Sequence, residues 1–259
     1  MPKAPGSLGA MSVDVLPGSE SFSHGGGPFG VLVLHGFTGH PGSMRSLAER
    51  CAAVGYSVEL PRLPGHGTSV EDMITTTWED WLKVAEESFD ELAVRCGSVA
   101  VVGLSMGGGL AARVAELRSV AGCVLINPLV KAPPSEMVEG VDALIAGGMA
   151  SFESIGSDIK REGGFEGSYD ATPLAPLRSL FAGVATVSEN LSNITAPSLV
   201  LVSREDHVIT WDRADEFVER VKGPVERVWL EDSYHVATMD NEQALVETLT
   251  LDFLARVFA

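Results

Sequence analysis

Val99-Ala-Val-Val-Gly103-Leu-Ser105-Met-Gly107-Gly-Gly109 is an apolar, β-branched run that breaks into glycines around a single serine. Leu110-Ala-Ala-Arg-Val-Ala-Glu-Leu117 follows it with helical spacing. Strand, sharp turn and helix are therefore expected in that order, with Ser105 at the turn. Glycine at 103 and 107 fits a nucleophile elbow, where the serine backbone is strained and a Cβ two residues to either side would collide across the turn. Such an elbow lifts the hydroxyl into the open and starts a helix whose first N–H groups can face a developing negative charge. A phosphate-binding turn is the competing interpretation, but residues 103–109 have neither G-x-G-x-x-G spacing nor the lysine of a P-loop.

Working outward, residues 12–16 form a short β-like stretch, and Gly30-Val-Leu-Val-Leu-His35 is continuously apolar, as in a parallel strand buried on both faces. Helical periodicity over 43–54 stops at Gly55, and 56–60 forms the next strand before Pro61. The loop Pro61-Arg-Leu-Pro-Gly-His-Gly-Thr68 leads to a helix over 78–93, then the elbow, then a strand over 122–126. This alternation predicts an α/β fold with a mostly parallel central sheet flanked by helices. It fails between Asn127 and about Asn193, where Pro133-Pro134, Gly147-Gly148, Gly163-Gly164, Pro173 and Pro176 punctuate short apolar pieces. So long a stretch is not a structureless loop, and a small inserted cap is expected, with helices over 135–146 and 174–186. Regular order resumes with a strand over 198–203, a helix over 211–221, a strand over 226–230 and a closing helix over 242–258. The predicted organisation is a core of 1–127 and 190–259 with a cap at 128–189.

A chain of 259 residues is long enough for one such domain with an excursion. Hydrophobic residues make up 45% of it, yet no apolar run approaches the 18 or so residues of a membrane span. The formal net charge of -17 disfavours nucleic acid, anionic membrane surfaces and strongly anionic substrates as partners. Residues 1–10 carry one lysine and no apolar core, so they predict a loose tail and not a secretory signal. Cys51, Cys96 and Cys123 lie far apart without a C-x-x-C, which fits buried thiols in a reducing compartment, the cytoplasm by default. Neither a cysteine ligand cluster nor H-E-x-x-H occurs, so no metal or other cofactor is expected.

A serine hydroxyl needs a base to take its proton, and the usual base is a histidine oriented by a carboxylate. In chains with such an elbow the acid and then the histidine follow the serine, which leaves His207 and His235 of the six histidines. His235, in Asp232-Ser-Tyr-His-Val236 after the last strand, has carboxylates upstream at a strand end; His207 leaves almost no room for one. The acid is then Glu205 or Asp206, directly after the 198–203 strand, while Asp232 suits loop capping. Backbone N–H groups of Met106, after the serine, and of Phe37, in His35-Gly-Phe-Thr-Gly39, are the candidate oxyanion donors. His35 itself reads as a structural hydrogen-bonding residue.

His35-Gly-Phe-Thr-Gly39, Pro61-Arg-Leu-Pro-Gly-His-Gly67, Gly103-Leu-Ser-Met-Gly107, Glu205-Asp-His-Val208 and Ser233-Tyr-His-Val-Ala-Thr238 together resemble the bacterial monoacylglycerol lipase and carboxylesterase group of the α/β-hydrolase superfamily. The resemblance runs from about Gly30 to the C-terminus. It implies an α/β-hydrolase fold, a triad of Ser105, Asp206 and His235, and oxyanion donors at Phe37 and Met106. Within the cap, Ser154-Ile-Gly-Ser-Asp158 and Phe165-Glu-Gly-Ser-Tyr169 resemble the same lipases, in which a cap isoleucine lines the pocket and a glutamate helps bind the glycerol head. Carried over, these are Ile155 and Glu166, a solvated cap carboxylate being the alternative for Glu166.

The expected activity is hydrolysis of carboxylic esters through an acyl-enzyme, on monoacylglycerols or medium-chain acyl esters. Met149, Phe152, Ile155 and Phe181 make the cap apolar, which suits an uncharged small-molecule ester bearing an acyl chain. A lipid substrate would be met by transient contact through a few exposed cap residues, without stable insertion. The rival functions are a thioesterase or C–C bond hydrolase on the same fold, or a non-catalytic binder of hydrophobic ligands.

Overall fold

The computed structural model describes residues 14–259. The tail expected at 1–10 lies outside these residues, as do Ser12 and Val13 of the β-like stretch. Residues 14–16 form no strand: Pro17 and Gly18 turn the chain, with Gly18 at φ 83°, and the first strand, β1 (Phe22–His24), follows that turn. It pairs antiparallel with β3 (Ser57–Leu60) at one edge of a seven-stranded sheet. Inward from there run β2 (Phe29–Leu34), β4 (Ser98–Leu104) and β5 (Cys123–Ile126), then β8 (Ser198–Ser203) and the far edge β9 (Val225–Leu230), all parallel.

The central strands are apolar along their interiors because both faces of the sheet are covered. Leu32, Leu34 and Val101 point into one core with α3 (Trp78–Arg95) and α4 (Met106–Leu117). Val31, Val33, Ala100 and Val102 point into the other with α1 (Arg45–Ala53) and α8 (Gln243–Val257). A Val or Leu side chain withdrawn fully from water contributes about 1.5–3 kcal/mol, so two filled faces fix the strand register strongly. Local signals agree with the packing. Thr77 caps α3, its side chain accepting from the Asp80 amide while the Asp80 carboxylate accepts from the Thr77 amide. Cys51, Cys96 and Cys123 are buried free thiols, and burial raises Cys51 to about 12, far from a reactive thiolate.

Between β5 and β8 lie α5 (Ser135–Ala146), the strands β6 (Ser151–Glu153) and β7 (Ala171–Pro173), and α6 (Leu174–Asn190). The β6–β7 hairpin was not foreseen, since three-residue strands are too short to show a period. Helix α6 outruns its expected end at 186 because its second half is buried: Val184 and Val187 join the same core as α3 and α4. Two further details depart from the sequence expectation. A short α2 (Val70–Met73) follows the 61–68 loop, and the helix expected over 211–221 is a 3-10 turn (Trp211–Ala214) leading into α7 (Asp215–Arg220). Among the described residues no helix is long and apolar enough to cross a membrane.

Candidate active site

The parallel strands point their carboxyl ends the same way, and five of them are followed by a loop that carries a residue of the site: Phe37 after β2, Ser105 after β4, Asn127 after β5, Asp206 after β8 and His235 after β9. Among the described residues only three non-glycine positions have positive φ, namely Thr38 (59°), Ser105 (57°) and Asn127 (41°), and all three belong to these loops. Left-handed backbone at such residues stores strain of order 1–3 kcal/mol each, and it persists where the surroundings force it. At Ser105 the force is visible: its amide donates to the Ile126 carbonyl at 3.0 Å while its carbonyl accepts from Gly109 and Leu129. A Cβ built on Gly103 would stand 2.0 Å from the Gly107 carbonyl oxygen, and one on Gly107 would stand 2.2 Å from that of Leu34. The glycine spacing is thus a steric requirement of the elbow.

His235 and Asp206 are brought together as the chain order predicts. Asp206 Oδ2 lies 2.7 Å from His235 Nδ1, so the ring donates from Nδ1 and its Nε2 is left for a partner on the cavity side. The other oxygen, Oδ1, accepts the amides of Val208 and Ile209 at 2.8 and 2.7 Å, which fixes the carboxylate from behind. Asp206 has 1% of its side chain exposed; Glu205 has 52% and pairs with Lys160. Of the two adjacent carboxylates it is Asp206 that meets His235. Burial works against a charged His235 ring, but the charge and hydrogen bond of Asp206, with the charges of Glu166 and Asp158, outweigh it and hold the pKa above the ordinary value.

Ser105, His235, Phe37, Ile155 and Glu166 line a single cavity of about 260 Å³. Phe152 and Phe181 line it too; Met149, also assigned to the apolar cap, does not. Gly36 brings the Phe37 loop close to the serine, since a Cβ there would lie 3.4 Å from Ser105 Cβ. Met106 begins α4 immediately after Ser105, so its amide sits at the helix N-terminus beside the hydroxyl. His35 has the structural place expected of it: Nδ1 donates to the Gly36 carbonyl and Nε2 accepts the Leu63 amide, with burial and the neighbouring His66 depressing its pKa. Glu166 reaches in from the segment between β5 and β8, and a Cβ on Gly39 would come within 2.7 Å of its Oε1. Burial raises its pKa despite the pull of His235.

His207 is not near the serine's base position; its Nδ1 is bonded to Asp158 Oδ1 at 2.8 Å. Asp232 pairs with Lys160, while the capping carboxylate of that loop is Glu242, which accepts the Glu231 and Asp232 amides. Several residues of the site went unassigned in the sequence. Asn127 donates to the carbonyls of Tyr234 and His235 and accepts the Ser203 amide. Tyr169 donates to the Gly65 carbonyl and accepts the Thr68 amide, tying its loop to the 61–68 segment. Asp158 stands within the quoted Ser154 to Asp158 motif, but its role is visible only in three dimensions.

The chain matches the alpha/beta hydrolase family over residues 31–248, and it belongs to that family. It is 42% identical over 251 residues to a thermostable monoacylglycerol lipase of Bacillus sp. (strain H-257), an alignment covering 93% of this chain and 96% of that one. A carboxylesterase of Bacillus subtilis (strain 168) is 30% identical over 241 residues, covering 92% and 97%. Among solved structures, one from the work on LipS and LipT, two metagenome-derived lipolytic enzymes, has a TM-score of 0.89 at 37% identity, covering 94% of this chain and all of that one. The monoacylglycerol lipase of Paleococcus ferrophilus, at 22% identity and a TM-score of 0.77, shares the fold over 92% of this chain and 98% of its own.

Proposed function

We propose that this chain hydrolyses carboxylic esters through an acyl-enzyme on Ser105, with His235 as general base and Asp206 as its orienting acid. The chain is a carboxylic ester hydrolase of the monoacylglycerol lipase and carboxylesterase type, by its identity with those two relatives over nearly its whole length. The observation that carries the residue roles is the buried Asp206–His235 pair at 2.7 Å, facing the cavity that also holds the strained Ser105. In this mechanism Ser105 Oγ attacks the ester carbonyl carbon and its proton passes to His235 Nε2. The N–H groups of Phe37 and Met106 hold the oxyanion, each donor contributing about 3 kcal/mol. The imidazolium then protonates the leaving alcohol, and a water deprotonated by His235 releases the acid.

Monoacylglycerols and medium-chain esters fit the cavity best. Leu177, Leu180, Phe181 and Val184 supply an apolar wall for an acyl chain. Glu166 offers a carboxylate to the hydroxyls of a glycerol head. Residues 128–189 act as a cap over the site, and its exposed rim, Met137, Phe152 and Ile155 with Val208 from the core, gives transient contact with a lipid surface. The acidic chain has no evident use for nucleic acid, and its free thiols fit a reducing, cytoplasmic setting. A fluorophosphonate probe tests the class: wild type is expected to label stoichiometrically and Ser105→Ala not at all, and an unlabelled wild type would overturn the assignment.

Two expected results follow from the electrostatics. His235 must be neutral to accept the serine proton, so kcat/KM on an uncharged ester should fall as pH drops through its raised pKa. The acid limb is expected above about 6.5, the ordinary histidine value; a pH–rate profile with its limb below that would contradict the dominance of the carboxylates around the ring over its burial. Glu166→Gln should lower kcat/KM for a monoacylglycerol about 10-fold, the loss of roughly one charged hydrogen bond, while the methyl ester of the same acid changes less than twofold. Measuring both on the pH-independent plateau of kcat/KM takes the His235 titration out of the comparison; equal losses on the two esters would remove Glu166 from the head-group site.

A further inference from the structure

The peptide that carries His235 is gripped from two sides. From the core, Asn127 Nδ2 donates to the His235 carbonyl at 2.8 Å. From the cap, Asp158 Oδ2 accepts the His235 amide at 3.1 Å and, with the same oxygen, the amide of His207 at 3.1 Å. His207 directly follows Asp206 in the chain, so one carboxylate oxygen joins the loop of the proposed acid to the loop of the proposed base. The remaining oxygen, Oδ1, accepts a hydrogen bond from His207 Nδ1 at 2.8 Å, and the Asp158 carbonyl accepts the Val236 amide at 3.1 Å. Every acceptor group of Asp158 is thus spent on these two loops, and its side chain is 9% exposed. The same leg of the cap is laced onward: the amides of Lys160, Arg161 and Tyr234 all donate to the buried carboxylate of Asp240.

We propose that Asp158 is a positioning residue for ester hydrolysis: delivered by the cap, it clamps the acid loop to the histidine loop and sets the register of the Asp206–His235 pair toward Ser105. The role rests on the triad assignment above. The Asp206–His235 hydrogen bond is the contact between the two loops that this clamp would hold in register, beside the packing of His207 on Tyr234; Asn127 binds the His235 loop to β8, and Lys160 joins Glu205 to Asp232 at the exposed edge of the same seam. A misplacement of about 1 Å in a catalytic group can lower a rate by roughly 100-fold, so a clamp on two backbone amides has kinetic consequences without touching substrate. The charge acts as well. Asp206, Glu166 and Asp158 are the anions that face His235, and all three favour its protonated form.

Three variants separate these effects. Asp158→Asn keeps an oxygen for both amides and turns an N–H₂ toward His207 Nδ1 while losing the charge. Asp158→Ala loses both, and Lys160→Met weakens the seam without contact to His235. On p-nitrophenyl butyrate, Asp158→Ala is expected to lose about 100-fold in plateau kcat with KM within about threefold. Asp158→Asn should recover roughly tenfold of that loss and shift the acid limb of kcat/KM to lower pH, while Lys160→Met stays within about twofold of wild type. An Asp158→Ala kcat within threefold of wild type overturns the proposal, and so do equal losses in Asp158→Ala and Lys160→Met, which would mark general loosening of the cap. Should Asp158→Ala not fold, Asp158→Asn decides, and an unmoved acid limb overturns it. A wild type that neither labels with fluorophosphonate nor turns over the ester fails the triad itself and this role with it; an active, labelled wild type with indifferent Asp158 variants fails this role alone.

Discussion

Ser105→Ala is expected to lower kcat on p-nitrophenyl butyrate by about 10⁴- to 10⁶-fold with the melting temperature unchanged within a few degrees. The hydroxyl is the one atom removed. Alanine carries the same Cβ at φ 57°, so the strain of the elbow is neither relieved nor worsened. The bonds that hold position 105 are made by its backbone, to Ile126, Gly109 and Leu129, and survive the substitution. The fold should therefore persist while the nucleophile is lost. His235→Ala should fall in the same range, and the double variant should be little worse than either, because base and nucleophile act as a unit. Active-site titration with steady-state kinetics checks this. Residual turnover above about one part in a thousand, after excluding contaminating hydrolase, would show that Ser105 is not the nucleophile.

Gly103→Ala should damage folding itself. Its Cβ would sit 2.0 Å from the Gly107 carbonyl oxygen and 2.3 Å from the attached carbon, both backbone atoms that no rotamer change can move. Gly107 is confined in turn by the Leu34 and His35 carbonyls of the next strand, so the elbow cannot yield without displacing β2. Relief requires shifting the strand-to-helix turn in the middle of the sheet, a loss on the order of 4 kcal/mol. Against a total stability of about 5–15 kcal/mol, much of the variant would unfold or aggregate on expression. At about 2–4 °C per kcal/mol for a chain of this size, recovered protein should melt roughly 8–16 °C lower. Differential scanning calorimetry tests it, and a loss under about 3 °C would mean the elbow relaxes far more easily than its contacts imply.

Much of this was legible in the chain because the signals are local. Continuous apolar runs mark strands buried on both faces, and Gly103 and Gly107 mark an elbow because their missing side chains leave the only room for it. Chain order pointed to His235 as the candidate base, since the strand ends of a parallel sheet converge on one edge. The limits of legibility are equally physical. The 12–16 stretch has strand-like composition, yet in its described part, 14–16, the chain forms no strand and turns at Pro17-Gly18 before β1 at 22–24. The β6–β7 hairpin pairs two segments too short to carry a period. Glu205 and Asp206 are adjacent and chemically alike; only the turn of the loop after β8 buries one against His235 and leaves the other to solvent and Lys160.

The sequence by itself determined the alternation of strands and helices, the elbow and the residue types required beside Ser105, because short-range sterics and hydrophobic periodicity are written in neighbouring positions. Tertiary structure alone decided which carboxylate meets His235, that His207 is held by Asp158, and that Asn127 and Asp158 grip the histidine loop from opposite sides. These contacts join residues dozens of positions apart, and their geometry is set by how the loops after β5, β8 and β9 and the segment that carries Asp158 pack together, which no local pattern encodes.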